Sequence, residues 1–81
     1  MFKSVLFYVV SDDEGYIKGT ERYEDYGIEF ERLLRTGDVL AACKFSDPEG
    51  AQEFIKDNKD IMSGEPRIYM VRHTIKTEMV Q

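Results

Sequence analysis

Residues 24–35 read EDYGIEFERLLR, and the reading of this stretch decides the fold class. Tyr26, Phe30, Leu33 and Leu34 stand at i, i+4, i+7 and i+8, the spacing of one helical face. Asp25 supplies an N-cap, and Glu29 lies in the early turns, where the helix dipole favours negative charge. Arg32 and Arg35 suit the opposite pole, and Gly37 is the expected stop. Gly27 is the residue least suited to a helix interior. The spacing predicts a first helix over 24–35.

Working outward, Phe2 to Val10 is dense in Val, Phe, Tyr and Leu, the composition of a strand. Phe2, Leu6, Tyr8 and Val10 share one face, and Val5, Phe7 and Val9 share the other. Both faces are apolar, so this strand is expected to be central, with each side covered in part. Ser11-Asp12-Asp13-Glu14-Gly15 reads as a tight turn, and Tyr16 to Arg22 as the returning strand of a hairpin, with Gly19 a candidate bulge.

On the other side, Val39 to Phe45 reads as a short strand. Its small residues Ala41, Ala42 and Cys43 allow another backbone to approach closely. Ser46-Asp47-Pro48-Glu49 marks a helix start: Ser46 and Glu49 form a capping box, and Pro48 fits the first turn. Ala51, Phe54, Ile55 and Asn58 form the inward stripe of this second helix, while Lys56, Asp57 and Lys59 face out. Ser63-Gly64-Glu65-Pro66 is a turn, and Arg67 to Val80 a long final strand. Its face of Tyr69, Val71, His73, Ile75, Thr77 and Met79 is the more apolar and is expected to pack on the helices. The expected order is β-β-α-β-α-β, an α+β domain with a sheet of about four strands and two helices. The segment from strand 39–45 to strand 67–80 suggests a parallel β-α-β unit.

At 81 residues the chain corresponds to one domain, residues 1–81. A hydrophobic share of 42% beside 33% charged residues is a globular balance and argues against disorder. The longest apolar run, Val5 to Val10, is too short to span a membrane. Met1-Phe2-Lys3-Ser4 offers no secretory n-region, so no signal peptide is expected. A single cysteine, Cys43, forms no internal disulfide and fits a reducing, cytoplasmic compartment.

One histidine and one cysteine leave little for catalysis. His73 has no carboxylate neighbour in its strand to orient the ring and no second ligand to share a metal, so it reads as a half-buried sheet residue. Cys43 beside Lys44 reads as a small core residue, and a small enzyme would need it to meet His73 across adjacent strands. Asp12-Asp13-Glu14 lacks calcium-loop spacing. The scattered glycines form no phosphate-binding motif. No enzyme, cofactor or metal is expected.

Charge is the more informative signal. The net charge is −5. Residues 11–31 hold eight acids against Lys18 and Arg22, so the rest of the chain is slightly positive. Direct nucleic-acid binding is disfavoured. Tyrosines interleaved with acids make a candidate docking face of Asp12, Asp13, Glu14, Glu21, Tyr23, Glu24, Asp25 and Tyr26. Its partner would be a protein with a basic surface, of the kind a nucleic-acid-binding protein presents. The long final strand also offers an edge for a homodimer.

The return Gly15-Tyr16-Ile17-Lys18-Gly19, followed by Ala42, Phe45, Ser46, Asp47, Pro48, Glu49, Ala51, Glu53, Phe54 and Ile55, resembles a loose class of small phage- and prophage-encoded α+β proteins. A first helix as long as 26–35 departs from that class. The class has no common activity. Some members inhibit host enzymes or bacterial immune complexes, CRISPR effectors included. The resemblance implies a small acidic inhibitor or modulator acting in a host cytoplasm, and it carries over no functional residue. The alternative is a self-assembling protein dimerising through its C-terminal strand.

Overall fold

Val9 and Val10 are adjacent in sequence, point to opposite faces of their strand, and are both fully buried. The fold is arranged around that fact. A computed structural model describes residues 2–79. It comprises β1 (Phe2–Asp12), β2 (Gly15–Asp25), β3 (Ile28–Thr36), a 3-10 turn at Val39–Ala41, α1 (Pro48–Asn58), a second 3-10 turn at Lys59–Ile61, and β4 (Arg67–Lys76). The four strands form one antiparallel sheet in the order β3-β2-β1-β4. The domain is therefore α+β and mostly sheet, with one α-helix among the described residues.

Helix α1 covers one face of the sheet. Val10, Ile17, Leu33 and Ala51 form its buried centre, flanked by Phe45, Phe54, Ile55, Ile61, Met62 and Ile68. The predicted stripe holds: Ala51 is buried, Phe54, Ile55 and Asn58 are half-buried, and Lys56, Asp57 and Lys59 are exposed. The opposite face is covered by the 39–42 segment, where Phe7, Val9 and Ala42 pack with Tyr16, Val39 and Val71. β1 is an inner strand covered on both sides from Phe7 onward, while Phe2 to Leu6 stay exposed.

The first helix does not form. Residues 24–35 instead complete β2, turn at Tyr26-Gly27 and return as β3. Tyr26 and Gly27 have φ of 52° and 74°, the two positive values a type I′ hairpin turn demands. Gly27 adopts its value without steric cost, and it is here a turn residue rather than a weak helical one. The helical spacing of Tyr26, Phe30, Leu33 and Leu34 coexists with a strand alternation of Ile28, Phe30 and Leu34. Cross-strand partners decide between them: Tyr23 faces Phe30, Glu21 faces Arg32 and Arg22 faces Glu31.

Further expectations are corrected. Val39–Phe45 is not a strand. Asp38 caps a 3-10 turn by accepting the Leu40 N–H at 3.0 Å, and residues 42–45 run as a wedge between β1 and β2. There Phe45 exchanges both backbone hydrogen bonds with Tyr8, at 2.9 Å each, and the Cys43 N–H donates to the Ile17 carbonyl at 2.9 Å. The small side chains of Ala42 and Cys43 let this backbone enter. Without a strand at 39–45 there is no parallel crossover unit, and β4 pairs antiparallel with β1. The helix cap is Asp47 rather than Ser46, its carboxylate accepting the Gly50 N–H at 2.7 Å with Pro48 in the first turn. On β4 the face of Tyr69 and Val71 packs away from α1, and Ile68 packs toward it. Strand β4 ends at Lys76. Of the final strand expected to run to Val80, that last residue lies outside the described residues.

The wedge separates the hairpin it enters. β1 and β2 pair only at Ser11–Tyr16 and Asp12–Gly15. A register shift between Ile17 and Gly19, close to the predicted bulge, bends β2 away. The result is two two-stranded ribbons, β1–β4 and β2–β3, joined at a root. The described shape measures 60 × 27 × 19 Å. An 11-residue strand spans only about 36 Å, so the ribbons lie nearly end to end. The radius of gyration is 16.0 Å, against about 12 Å for a compact chain of this length.

Candidate docking ribbon

The eight residues singled out from sequence fall into two groups. Asp12, Asp13 and Glu14 sit at the root, and Glu21, Tyr23, Glu24, Asp25 and Tyr26 on the outer half of the β2–β3 ribbon. About ten residues of extended chain, roughly 30 Å, separate Glu14 from Glu24. The acids do not form one surface.

The root group is largely occupied in holding the fold. Asp12 is buried, at 4% exposure. Its carboxylate accepts a bidentate pair from Arg35, Nε to Oδ1 at 2.9 Å and a terminal guanidinium nitrogen to Oδ2 at 2.6 Å. It also accepts the Glu14 N–H at 3.0 Å and the Ser63 N–H at 2.9 Å. Burial alone would raise its pKa. The Arg35 hydrogen bond, the two backbone donors and the Arg35 charge outweigh that and hold it at about 2. Asp12 thus ties β1, the hairpin turn, β3 and the loop before β4 together and has no surface to offer a partner. Asp13 faces Arg67 at 3.9 Å, and Glu14 faces Arg35 at 3.4 Å.

The ribbon group is different. Alternation along β2 and β3 sorts its side chains into two faces. One face carries Tyr23, Phe30 and Ile28, with Tyr23 stacked on Phe30 at a centroid distance of 5.4 Å and 20° between planes. The Arg32 guanidinium lies 5.4 Å from the Tyr23 ring centroid and bonds Glu21 at 2.9 Å, which closes this face toward the root. The other face carries Arg22, Glu24, Glu29 and Glu31, with Arg22 at 3.8 Å from Glu29 and 3.7 Å from Glu31. Tyr26, at 96% exposure, stands at the tip.

Two features of this ribbon are left incompletely satisfied in the isolated fold. Tyr23, Ile28 and Phe30 remain substantially exposed although they form a contiguous apolar strip. Glu24 lies directly opposite Glu29, a like-charge cross-strand pair that destabilises a ladder. Neither Glu24 nor Asp25 has a cation at ion-pair distance among the described residues. Glu24→Lys is accordingly expected to stabilise the domain by about 0.5 kcal/mol by pairing with Glu29, read as a small rise in the urea midpoint. An unchanged or lowered midpoint would show that the like-charge pair carries no strain.

Ile28, Phe30 and Arg32 belong to this surface and were missed from sequence, because a helix would have turned Phe30 inward. The available signal was the Tyr26-Gly27 dipeptide between alternating apolar residues. Cys43 and His73 are not on adjacent strands: Cys43 bonds β2 from the wedge, and His73 faces Val5 within the β1–β4 ribbon, with β1 between them. Among the described residues no cluster of three or more His, Cys, Asp or Glu is placed to hold a metal ion. Among these residues no helix is long and apolar enough to cross a membrane. Comparison of the chain with protein families, with curated proteins and with solved structures found no match.

Proposed function

We propose that this chain is a non-enzymatic protein-binding module that docks a partner with a basic, partly apolar surface through its β2–β3 ribbon. The observation that carries this reading is the ribbon's unresolved composition: an exposed aromatic strip on one face and a like-charge acidic pair on the other. Both are costs to the free domain that a partner with apolar contacts and lysines or arginines would relieve. Aromatic side chains held rigid by stacking are the usual anchors of such contacts. The resemblance to small phage-encoded proteins supplies the setting, an acidic inhibitor or modulator of a host protein.

The test uses the tagged chain as bait in host lysate, beside the variant Glu21→Lys/Glu24→Lys/Asp25→Lys, each at low and high salt. The expected result is capture of one protein by the wild type, lost at high salt and lost in the variant while its circular dichroism is unchanged. Exposed charges act through a screened field, so salt is the direct control. Capture that survives the triple reversal would place the contact elsewhere on the molecule.

A further inference from the structure

Each chain exposes two ribbons, and they are complementary to one another. The outer part of the β2–β3 ribbon, residues 21–32, carries five acids against Arg22 and Arg32. The β1–β4 ribbon is the reverse. Residues 2–11 and 66–77 contain no acid and supply Lys3, Arg67, Arg72 and Lys76; Arg67 faces Asp13 at 3.9 Å and Lys76 faces Glu78 at 2.7 Å, both pairs at the surface. That ribbon is also apolar where the helix does not reach it, with Phe2, Val5, Leu6, Met70 and Ile75 exposed. Within one chain the ribbons cannot satisfy each other, because they point away from a shared root.

The surface left open is large enough to matter. The accessible area is 6199 Å², whereas a folded monomer of this mass exposes about 5,000 Å². The excess of roughly 1,200 Å² exceeds the ~800 Å² per partner of a standard interface. The backbone is open in the same places. Beyond the wedge, β1 from Phe2 to Phe7 and β2 from Lys18 to Asp25 have no strand partner on the edges that face each other at the root. β1 runs into the root and β2 runs out of it, so along the long axis both point the same way. A two-fold rotation reverses one of them and sets β1 of one copy antiparallel to β2 of the other.

We infer that the partner of the acidic ribbon is a second copy of this chain, in a two-fold dimer where each β2–β3 ribbon lies along the partner's β1–β4 ribbon. This rests on the reading of β2–β3 as a docking element and names its occupant in the free protein, when no other partner is bound. The dimer lays the open strands, β1 of one copy and β2 of the other, along the same axis in opposite directions. It places Lys3, Arg72 and Lys76 of one copy near Glu21, Glu24 and Asp25 of the other, twice over.

The symmetry of that arrangement supplies its test, by light scattering of three samples. The acidic-ribbon variant Glu21→Lys/Glu24→Lys/Asp25→Lys and the basic-ribbon variant Lys3→Glu/Arg72→Glu/Lys76→Glu are each expected to lose the dimer, because every contact becomes repulsive. Mixed in equal amounts, they are expected to regain it, because each reversed ribbon then meets an opposite one. Wild type should show twice the 9.5 kDa chain mass and dissociate as salt rises. A monomeric wild type, a dimer indifferent to both reversals (as pairing through the outer edge of β4 would give), or folded variants that fail to reassemble would each overturn the inference. Should a variant fail to fold, carbodiimide cross-linking of mixed light and 15N-labelled wild type replaces it. Links between Lys3 or Lys76 of one copy and Glu21, Glu24 or Asp25 of the other are expected, and their absence counts against the dimer. A monomeric wild type whose bait still captures a protein in a ribbon-dependent way would overturn the dimer alone and leave the docking reading standing.

Discussion

Replacing Asp12 by Asn is expected to destabilise the domain by about 3–5 kcal/mol at neutral pH, the cost of breaking a buried ion pair from one side. The side chain of Asp12 is wholly buried, whereas that of Arg35 retains 22% exposure, which places the effect toward the lower end. A domain of this size has a total stability of about 4–12 kcal/mol, so the variant loses a large part of it. The loss has a pH signature. The folded pKa of about 2 lies below the 3.8 of an unperturbed aspartate, so the contribution is full above about pH 4 and disappears as pH falls toward 2. Integrated over that shift it amounts to about 2 kcal/mol. Urea unfolding of wild type and Asp12→Asn at a series of pH values should show their difference constant from neutral pH down to about 4 and narrowing by roughly that amount below it. A difference that stays the same down to pH 2 would mean that the carboxylate charge is not what Arg35 and the Ser63 N–H are holding.

Ile17→Ala is expected to cost about 2–5 kcal/mol, the range for removing a large buried side chain whose surroundings relax only in part. Ile17 is 1% exposed and packs with Val10, Leu33 and Ala51. It stands at the register shift where β2 leaves β1, and its carbonyl accepts the bond from Cys43 that seats the wedge. Ile28→Ala provides the contrast. Ile28 is 58% exposed near the ribbon tip, and its truncation in dilute, monomeric protein is expected to cost less than about 1 kcal/mol. Denaturant midpoints of the two variants give the comparison directly. Equal losses would contradict a fold whose stability is concentrated at the root, with two ribbons held out from it.

That division between root and ribbons explains which parts of the molecule were legible in the sequence. The root elements carry local signals. β1 is a run of β-branched and aromatic residues with two apolar faces. The turn at Asp13-Glu14 is rich in acids and closed by Gly15. Helix α1 begins at Asp47-Pro48 and has a clear inward stripe. Each of these is settled within a dozen residues, and each stands where it was expected. The candidate site was legible in part. Glu21, Tyr23, Glu24, Asp25 and Tyr26 all lie on the outer β2–β3 ribbon, with Glu24 on the face opposite Glu21 and Tyr23. Asp12 was grouped with them because an aspartate in an acidic turn reads as solvated, and nothing nearby in sequence reveals that Arg35, twenty-three residues away, buries and neutralises it.

By itself, then, the sequence determined an α+β chain with a central N-terminal strand, a hairpin after it, a capped helix beginning at Pro48 and a strongly uneven charge. Tertiary structure alone decided three further things. It made residues 28–36 a strand, because their apolar spacing satisfies both periods and only the facing side chains of β2 choose between them. It made residues 42–45 a wedge rather than a strand, because their hydrogen bonds go to Tyr8 and Ile17, which are distant in sequence. That wedge in turn splayed the hairpin into two ribbons of opposite charge. The physical reason is common to all three: a backbone group or side chain with two acceptable local conformations takes the one whose long-range partners bury and satisfy it.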